Sequence, residues 1–134
     1  ISSYFEARTK GFGDELKRRI IIGTYALSAG YSDAYYKKAT KVRTLIIQEF
    51  QKAFESFDVL FTPTTPGIAF ESYCNTEDPI QMYLEDVMTV PPSVAGVPTI
   101  SIPMGSRLHD MPLGFQIIGP HFSEAKILSV AQQM

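Results

Sequence analysis

TVPPSVAGVPTISIPMG, residues 89–105, is the stretch on which the reading of the fold turns. Pro91, Pro92, Pro98 and Pro103, with Gly96 and Gly105, frame the apolar run TISI, which reads as a buried strand. Upstream, DPIQMYLEDVMTV has the marks of a helix, with Asp78 as cap and Pro79 at the first helical position. Pro91 and Pro92 are expected to end or break that helix, because a helix interior cannot accommodate the proline ring. Gly96 is expected to let backbone pass closely. Downstream, MGSRLHDMPLG reads as a turn-rich link and GFQIIG as a second strand. A link that short allows the two strands to pair antiparallel.

Working outward, DVLFTP is another short apolar run, closed by Pro63 and followed by the rigid loop TPTTPG. SDAYYKKATKVRTLIIQEFQKAFESF leads into it. Tyr35, Ala39, Val42, Ile46, Phe50, Ala53 and Phe57 recur there at three- and four-residue steps, one face of a long helix, and Ser32 is its expected cap. GDELKRRIIIGTYALSAG predicts an earlier helix, with Asp14 and Glu15 at its positive end and Gly30 at its close. Its apolar surface, Ile20, Ile21, Ile22, Tyr25, Leu27 and Ala29, is wider than a stripe and predicts burial. AFESYCNTEDP lacks periodicity and reads as a surface crossing. HFSEAKILSVAQQM starts a last helix with Ser123 as cap. A helix running directly into a buried strand predicts an α/β fold.

A length of 134 residues suits one domain, and 45% hydrophobic with 19% charged residues is the balance of a globular protein. The net charge of −2 gives no support to nucleic-acid binding by this domain. No run of about eighteen apolar residues offers a membrane span. The opening residues ISSYFEARTK lack the apolar core of a signal peptide. The single cysteine, Cys74, has no intrachain partner and fits a reducing compartment. The first residue is Ile and the last helix stops in mid-pattern, so both ends read as cuts through a longer chain.

The hydroxyls near loops are Ser93, Ser101, Thr62, Thr64 and Thr65, and none sits in a G-x-S-x-G elbow. His109 and His121 lack the spacing of a triad or a metal site and read as turn histidines. No Gly-rich phosphate loop is present. Lys37, Lys38, Lys41 and Arg43 read as a solvated helix face. Arg18 and Arg19 lie in a very apolar helix. Glu15, four residues before Arg19, offers a local ion pair, and an inward arginine would need an anion to meet it. Glu85 and Asp86 precede the stiff TVPP run, and periodicity alone favours ordinary surface charges there.

The segments FGDELKRRIIIGTYALSAGYSDAYYKKATKVRTLI, DVLFTPTTP, DPIQMYLEDVMTVPPSVAGVPTISIP and PLGFQIIG together resemble the C-terminal part of the amidase signature family. The likeness covers nearly all of residues 1–134, which it makes a C-terminal fragment of a single amidase domain, and it implies that family's α/β fold, a mixed central sheet covered by helices. GYSDAYYKKATKVR is the part most particular to its glutamine-hydrolysing, tRNA-dependent amidotransferase branch. AGVPTISIP and PLGFQIIG are shared more widely among amidases. PPSVAG departs from the family pattern, with two adjacent prolines where one is commoner.

The resemblance implies hydrolysis of glutamine to glutamate and ammonia. The ammonia would pass to a partner subunit that uses ATP and magnesium to amidate mischarged Glu-tRNA(Gln) or Asp-tRNA(Asn). It implies a catalytic lysine and two serines, one on a cis peptide bond, all upstream of this chain. The chain alone is therefore expected to be inactive, to bind no cofactor or metal, and to hold no catalytic residue. Its expected partners are glutamine, the other amidotransferase subunits and, through the complex, aminoacyl-tRNA, in bacterial cytoplasm or an organelle. Two substrate-binding residues do carry over. Arg19, the second arginine of KRR, is expected to hold the α-carboxylate of glutamine, and Asp86, in LEDVMTVP, its α-ammonium group. A planar guanidinium suits a carboxylate through two parallel hydrogen bonds, and a carboxylate suits an ammonium. Two alternatives stand beside this reading: an amidase acting on simple amides, and a non-catalytic amidase-like scaffold.

Overall fold

The computed structural model describes residues 2–28, 30–70, 79–108 and 110–134. The chain divides into two compact units, Ile1–Val42 and Arg43–Met134. Among the described residues, no helix is long and apolar enough to cross a membrane.

The first unit opens with α1, Ser2–Gly11, a helix that the polar opening residues did not announce. Lys10 pairs with Glu6 and the Arg8 guanidinium lies over the Tyr4 ring, so local side-chain pairs support successive turns of this helix. α2 follows over Asp14–Leu27, as the pattern predicted, with Asp14 and Glu15 in its first turn. It ends earlier than expected: Ser28 is the C-terminal cap, and Gly30, at φ +88°, sits in the turn beyond. Tyr25, Tyr31 and Tyr35 then gather, with Tyr25 and Tyr31 ring centroids 4.4 Å apart. The hydrogen bond to Tyr31 pushes the Tyr25 hydroxyl pKa upward.

The expected burial of α2 is not found. Ile20, Ile21, Ile22, Tyr25 and Leu27 are exposed, Ile21 by 67%. The width of an apolar surface says that it favours cover, not that the cover lies in the same chain segment. Among the described residues of its unit, α2 meets only the 32–36 segment substantially. That segment, Ser32–Tyr36, is a π-helical turn, and Tyr31, not Ser32, stands at its N-terminal boundary. α3, Lys37–Phe54, continues from it.

The second unit is built on a three-stranded sheet, β1 (Leu60–Pro63), β2 (Thr99–Leu108) and β3 (Met111–Ile118), in the order β1-β3-β2. Both pairings are antiparallel. Leu60 and Thr99 flank Ile118, and Thr62 and Ser101 flank Gln116. β2 is longer than TISIP: it runs through Met104–Leu108, which the turn residues had marked as a link. The two readings meet at an irregularity between Pro103 and Arg107, where Gly105 takes φ +69°. The strand thus absorbs the glycine as a bulge and carries on pairing.

By strand alternation, Leu60, Thr62, Gln116 and Ile118 share one face. Its apolar end is the core: Ala95, Val97 and Ile118 are buried, with Ile46, Ile47, Phe50, Phe54 and Leu60 packed on them. The expected stripe is therefore used at Ile46 and Phe50 in the C-terminal half of α3, whereas Tyr35 in the π-helical turn, Val42, and Phe57 beyond the helix stay exposed.

The helix expected before the double proline is in fact two. α4 covers Pro79–Leu84, residues 85–89 form turns, and α5 covers Val90–Ala95. Pro91 and Pro92 do not end a helix; they sit in the first turn of α5, where amide hydrogens have no intrahelical acceptor to lose. Gly96 closes α5 at φ +77°. Its N–H reaches Ser93 O and the Val97 N–H reaches Pro92 O, the paired bonds of a Schellman cap. A left-handed residue is what this position requires. Close backbone passage is not, since an added Cβ would meet only His121 Nε2, at 3.9 Å.

α6, Glu124–Ala131, lies against β2 and β3. Ser123 stands at its cap position, but its hydroxyl donates to the Pro120 carbonyl at 2.7 Å instead of accepting from the helix. Lys126 donates to Asp58 at 2.8 Å and holds that carboxyl below its usual pKa. A buried glycine, Gly119, leads into this helix. A Cβ there would collide with Ser123 Oγ and lie 2.6 Å from Ile127 Cγ2. Gly119→Ala is therefore expected to destabilise the protein by about 1–3 kcal/mol, read as a lower denaturation midpoint, because the site has no room to relax. An unchanged midpoint would show that α6 shifts freely.

Candidate functional site

The two charged residues expected to bind substrate lie in different units. Arg19 is on α2 of the first and Asp86 in the 85–89 turn of the second. Arg19 is 56% exposed, and its Nε donates to Glu15 Oε1 at 3.0 Å. Arg18 takes the other oxygen of the same carboxylate at 3.0 Å. The local pair foreseen from the i,i+4 spacing is thus made, with Glu15 bridging both arginines. An open cleft of about 520 Å³ in the first unit is lined by Arg8, Phe12, Lys17, Ile20 and Ile21, and Arg19 is not on its wall.

Asp86 is exposed, and among the described residues no hydrogen bond or ion pair engages its carboxylate. Its backbone is engaged instead. Asp86 O accepts from Thr89 N at 3.1 Å and from Val90 N at 2.9 Å, while Asp86 N donates to Tyr83 O at 3.3 Å. The turn is therefore closed on itself and presents the side chain outward. Its neighbour Glu85 is half-buried.

Below the turn lies the polar end of the sheet face. Gln116 is the single buried polar residue among those described, 3% exposed. Its amide donates to Thr62 Oγ1 at 2.9 Å and to Met88 O at 2.7 Å. The hydroxyls of Thr64, just beyond β1, and Ser101, on β2, share a hydrogen bond of 2.7 Å nearby. Sequence reasoning passed over Gln116. The signal was present in GFQIIG, where one amide side chain interrupts an otherwise apolar strand.

The candidate nucleophiles are otherwise occupied. Ser93 Oγ donates to Thr89 O at 2.7 Å and Thr65 Oγ1 to Gly67 O at 2.8 Å. Thr62 Oγ1 donates to Pro63 O. None of these hydroxyls is hydrogen-bonded to a histidine, lysine or carboxylate among the described residues, so none has a base to activate it. His121 Nε2 stands 3.3 Å from Ala95 O, a structural contact. His109, Cys74 and the expected cap Asp78 lie outside the described residues, as does most of AFESYCNTEDP. Among the described residues, no cluster of three histidine, cysteine or acidic side chains could hold a metal. Of the basic run, Lys37 pairs with Asp33 at 2.6 Å, and Arg43 Nε donates to Val94 O at 2.9 Å.

The family model described as Amidase matches residues 1–128. The chain is 55% identical to the A subunit of the Brevibacillus brevis glutamyl-tRNA(Gln) amidotransferase over 131 residues, 98% of this chain and 27% of that protein. It is 54% identical to its counterpart from Halalkalibacterium halodurans, with the same coverage. Among solved structures, it is similar to the A subunit of the Thermotoga maritima glutamyl-tRNA(Gln) amidotransferase, at 40% identity and a TM-score of 0.70. That match covers 94% of this chain and 28% of the other. The chain therefore spans about a quarter of the length of the curated relatives it matches.

Proposed function

This chain belongs to the amidase family, and we propose that it is the substrate-recognising, C-terminal portion of a glutamine-hydrolysing subunit in a tRNA-dependent amidotransferase. The observation that carries the reading is the identity of 54–55%, over almost the whole chain, to the A subunits of glutamyl-tRNA(Gln) amidotransferases. In this reading the subunit releases ammonia from glutamine. A partner subunit, using ATP and magnesium, transfers it to Glu-tRNA(Gln) or Asp-tRNA(Asn), in bacterial cytoplasm or an organelle. The serine and lysine chemistry belongs to residues outside this chain. That agrees with the hydroxyls here, none of which has a base beside it.

Two charges in this chain give the substrate its identity. Arg19 pairs with the α-carboxylate of glutamine through a planar fork of N–H donors, and Asp86 with the α-ammonium group. The outward, unengaged carboxylate of Asp86 on a self-closed turn supports the second role. Arg19 already holds a carboxylate, that of Glu15, at 3.0 Å in an exposed position, and such surface pairs exchange partners at little cost. A ligand lacking either charged end would make one charge-assisted contact fewer, so a free amino acid is preferred over a simple amide.

The test is ammonia release by the full-length protein from L-glutamine and from butyramide. The expected result is a kcat/KM at least about a hundredfold higher for glutamine, the discrimination two lost charge-assisted contacts give. Competition by free glutamate is expected as well, while the 134-residue chain alone releases none. Equal turnover of the simple amide would instead favour a general amidase. No turnover of either by the full-length protein would favour a non-catalytic scaffold.

A further inference from the structure

The buried amide of Gln116 is a costly thing to place inside a sheet unless its hydrogen bonds are made. A glutamine side chain carries two N–H donors, and here they point to different elements. One goes to Thr62 on β1, the other to the carbonyl of Met88 in the 85–89 turn. Among the described residues, all other backbone hydrogen bonds donated or accepted by residues 85–89 stay within 83–93. Among the described residues, the Gln116 bond is therefore the one hydrogen bond that ties this turn to the sheet. Met88 is two residues from Asp86, and Thr89 and Val90 both donate to the Asp86 carbonyl. Fixing Met88 O thus fixes the turn that carries the Asp86 carboxylate.

We propose that Gln116 is a positioning residue for amino-acid recognition: its amide anchors the 85–89 turn to the sheet and so aims Asp86 at the α-ammonium group of the substrate. This rests on the reading of Asp86 given above. Thr62 and Gln116 lie opposite each other in the β1–β3 register. The rigid sheet therefore determines where Met88 O is held, and through it a side chain that no strand carries. Binding groups work best when hung from such rigid elements.

The experiment is steady-state glutaminase kinetics on the full-length amidotransferase complex with Gln116→Met, Asp86→Asn and the double variant. Inhibition by 4-carbamoylbutanoate, which is glutamine without its amino group, is measured alongside. Gln116→Met is expected to raise the glutamine KM about tenfold, the scale of one misplaced charged contact, while kcat stays within about twofold. Inhibition by 4-carbamoylbutanoate should not change, since that ligand never engages Asp86. In the Asp86→Asn background, Gln116→Met should add less than about twofold, because a residue acting through another loses its effect once that other is gone.

If Asp86→Asn raises KM and Gln116→Met does not, the positioning role is overturned and the Asp86 assignment stands. If Asp86→Asn leaves KM unchanged, the Asp86 assignment falls, and this inference with it. Additive losses, or equal loss of 4-carbamoylbutanoate binding, would reduce Gln116 to a packing role. Should Gln116→Met fail to fold, Gln116→Asn takes its place. That side chain keeps the polar group and falls one methylene short of Met88, so the same selective rise in KM is expected.

Discussion

Arg19→Ala in the full-length protein is expected to raise the glutamine KM about a hundredfold or more. Two parallel hydrogen bonds between a guanidinium and a carboxylate contribute about 3 kcal/mol together, and each 1.4 kcal/mol is a factor of ten. The measurement is initial ammonia release against glutamine concentration. Part of the structural cost of the substitution is the contact with Glu15. The Arg19–Glu15 contact is an exposed i,i+4 pair, worth about 0.3–0.5 kcal/mol in such settings. Arg18 remains on the other Glu15 oxygen. An unchanged denaturation midpoint, measured alongside, separates a KM effect from a damaged helix. Arg19→Lys keeps the charge and loses the fork, and about a tenfold rise is expected from it. A glutamine KM within twofold of the parent for Arg19→Ala would remove Arg19 from the substrate site.

The helices and strands of this chain were legible wherever periodicity meets a buried neighbour. α3 is the best case: Ile46, Phe50 and their neighbours lie on the core. β1 and the antiparallel pairing of β2 with β3 were legible from short apolar runs joined by a short link. What failed did so for local reasons. Pro91 and Pro92 carry two meanings, helix end and helix start, and only the turn at 85–89 decides between them. Met104–Leu108 contains a glycine that a bulge can absorb, so turn residues concealed a strand. α2 shows an apolar surface without cover in its own unit, a fact that no pattern along the helix can reveal.

The candidate site was legible in a different way. Nothing in spacing or charge distinguishes Arg19 from Arg18, or Asp86 from Glu85; only family resemblance singled them out. Gln116 is the reverse case. Its chemistry is plain from burial and hydrogen bonding, yet a glutamine in a strand carries no motif.

Ile117→Ala is expected to have the largest effect on stability, a loss of about 2–5 kcal/mol. Ile117 is 0% exposed and sits on the central strand β3, with Phe61 and Ile100 as its register partners on either side. Three strands meet at this residue, so its removal leaves a void that neither flanking strand can fill without giving up ladder hydrogen bonds. The cost therefore includes the cavity as well as the lost transfer of methyl groups from water. Ile117→Val removes one methyl group and should cost about 0.5–1.5 kcal/mol. Urea denaturation of the full-length protein reads both values from the shift in midpoint. The ordering carries the physical content. If alanine cost no more than valine, the site would be collapsing around the deletion, and β3 would not be the rigid bar between the core and the turn that holds Asp86. The same strand carries Gln116 one residue earlier. A loose β3 would then weaken the anchoring of Met88 too, so the kinetic effect of Gln116→Met should shrink in step with the stability loss at Ile117.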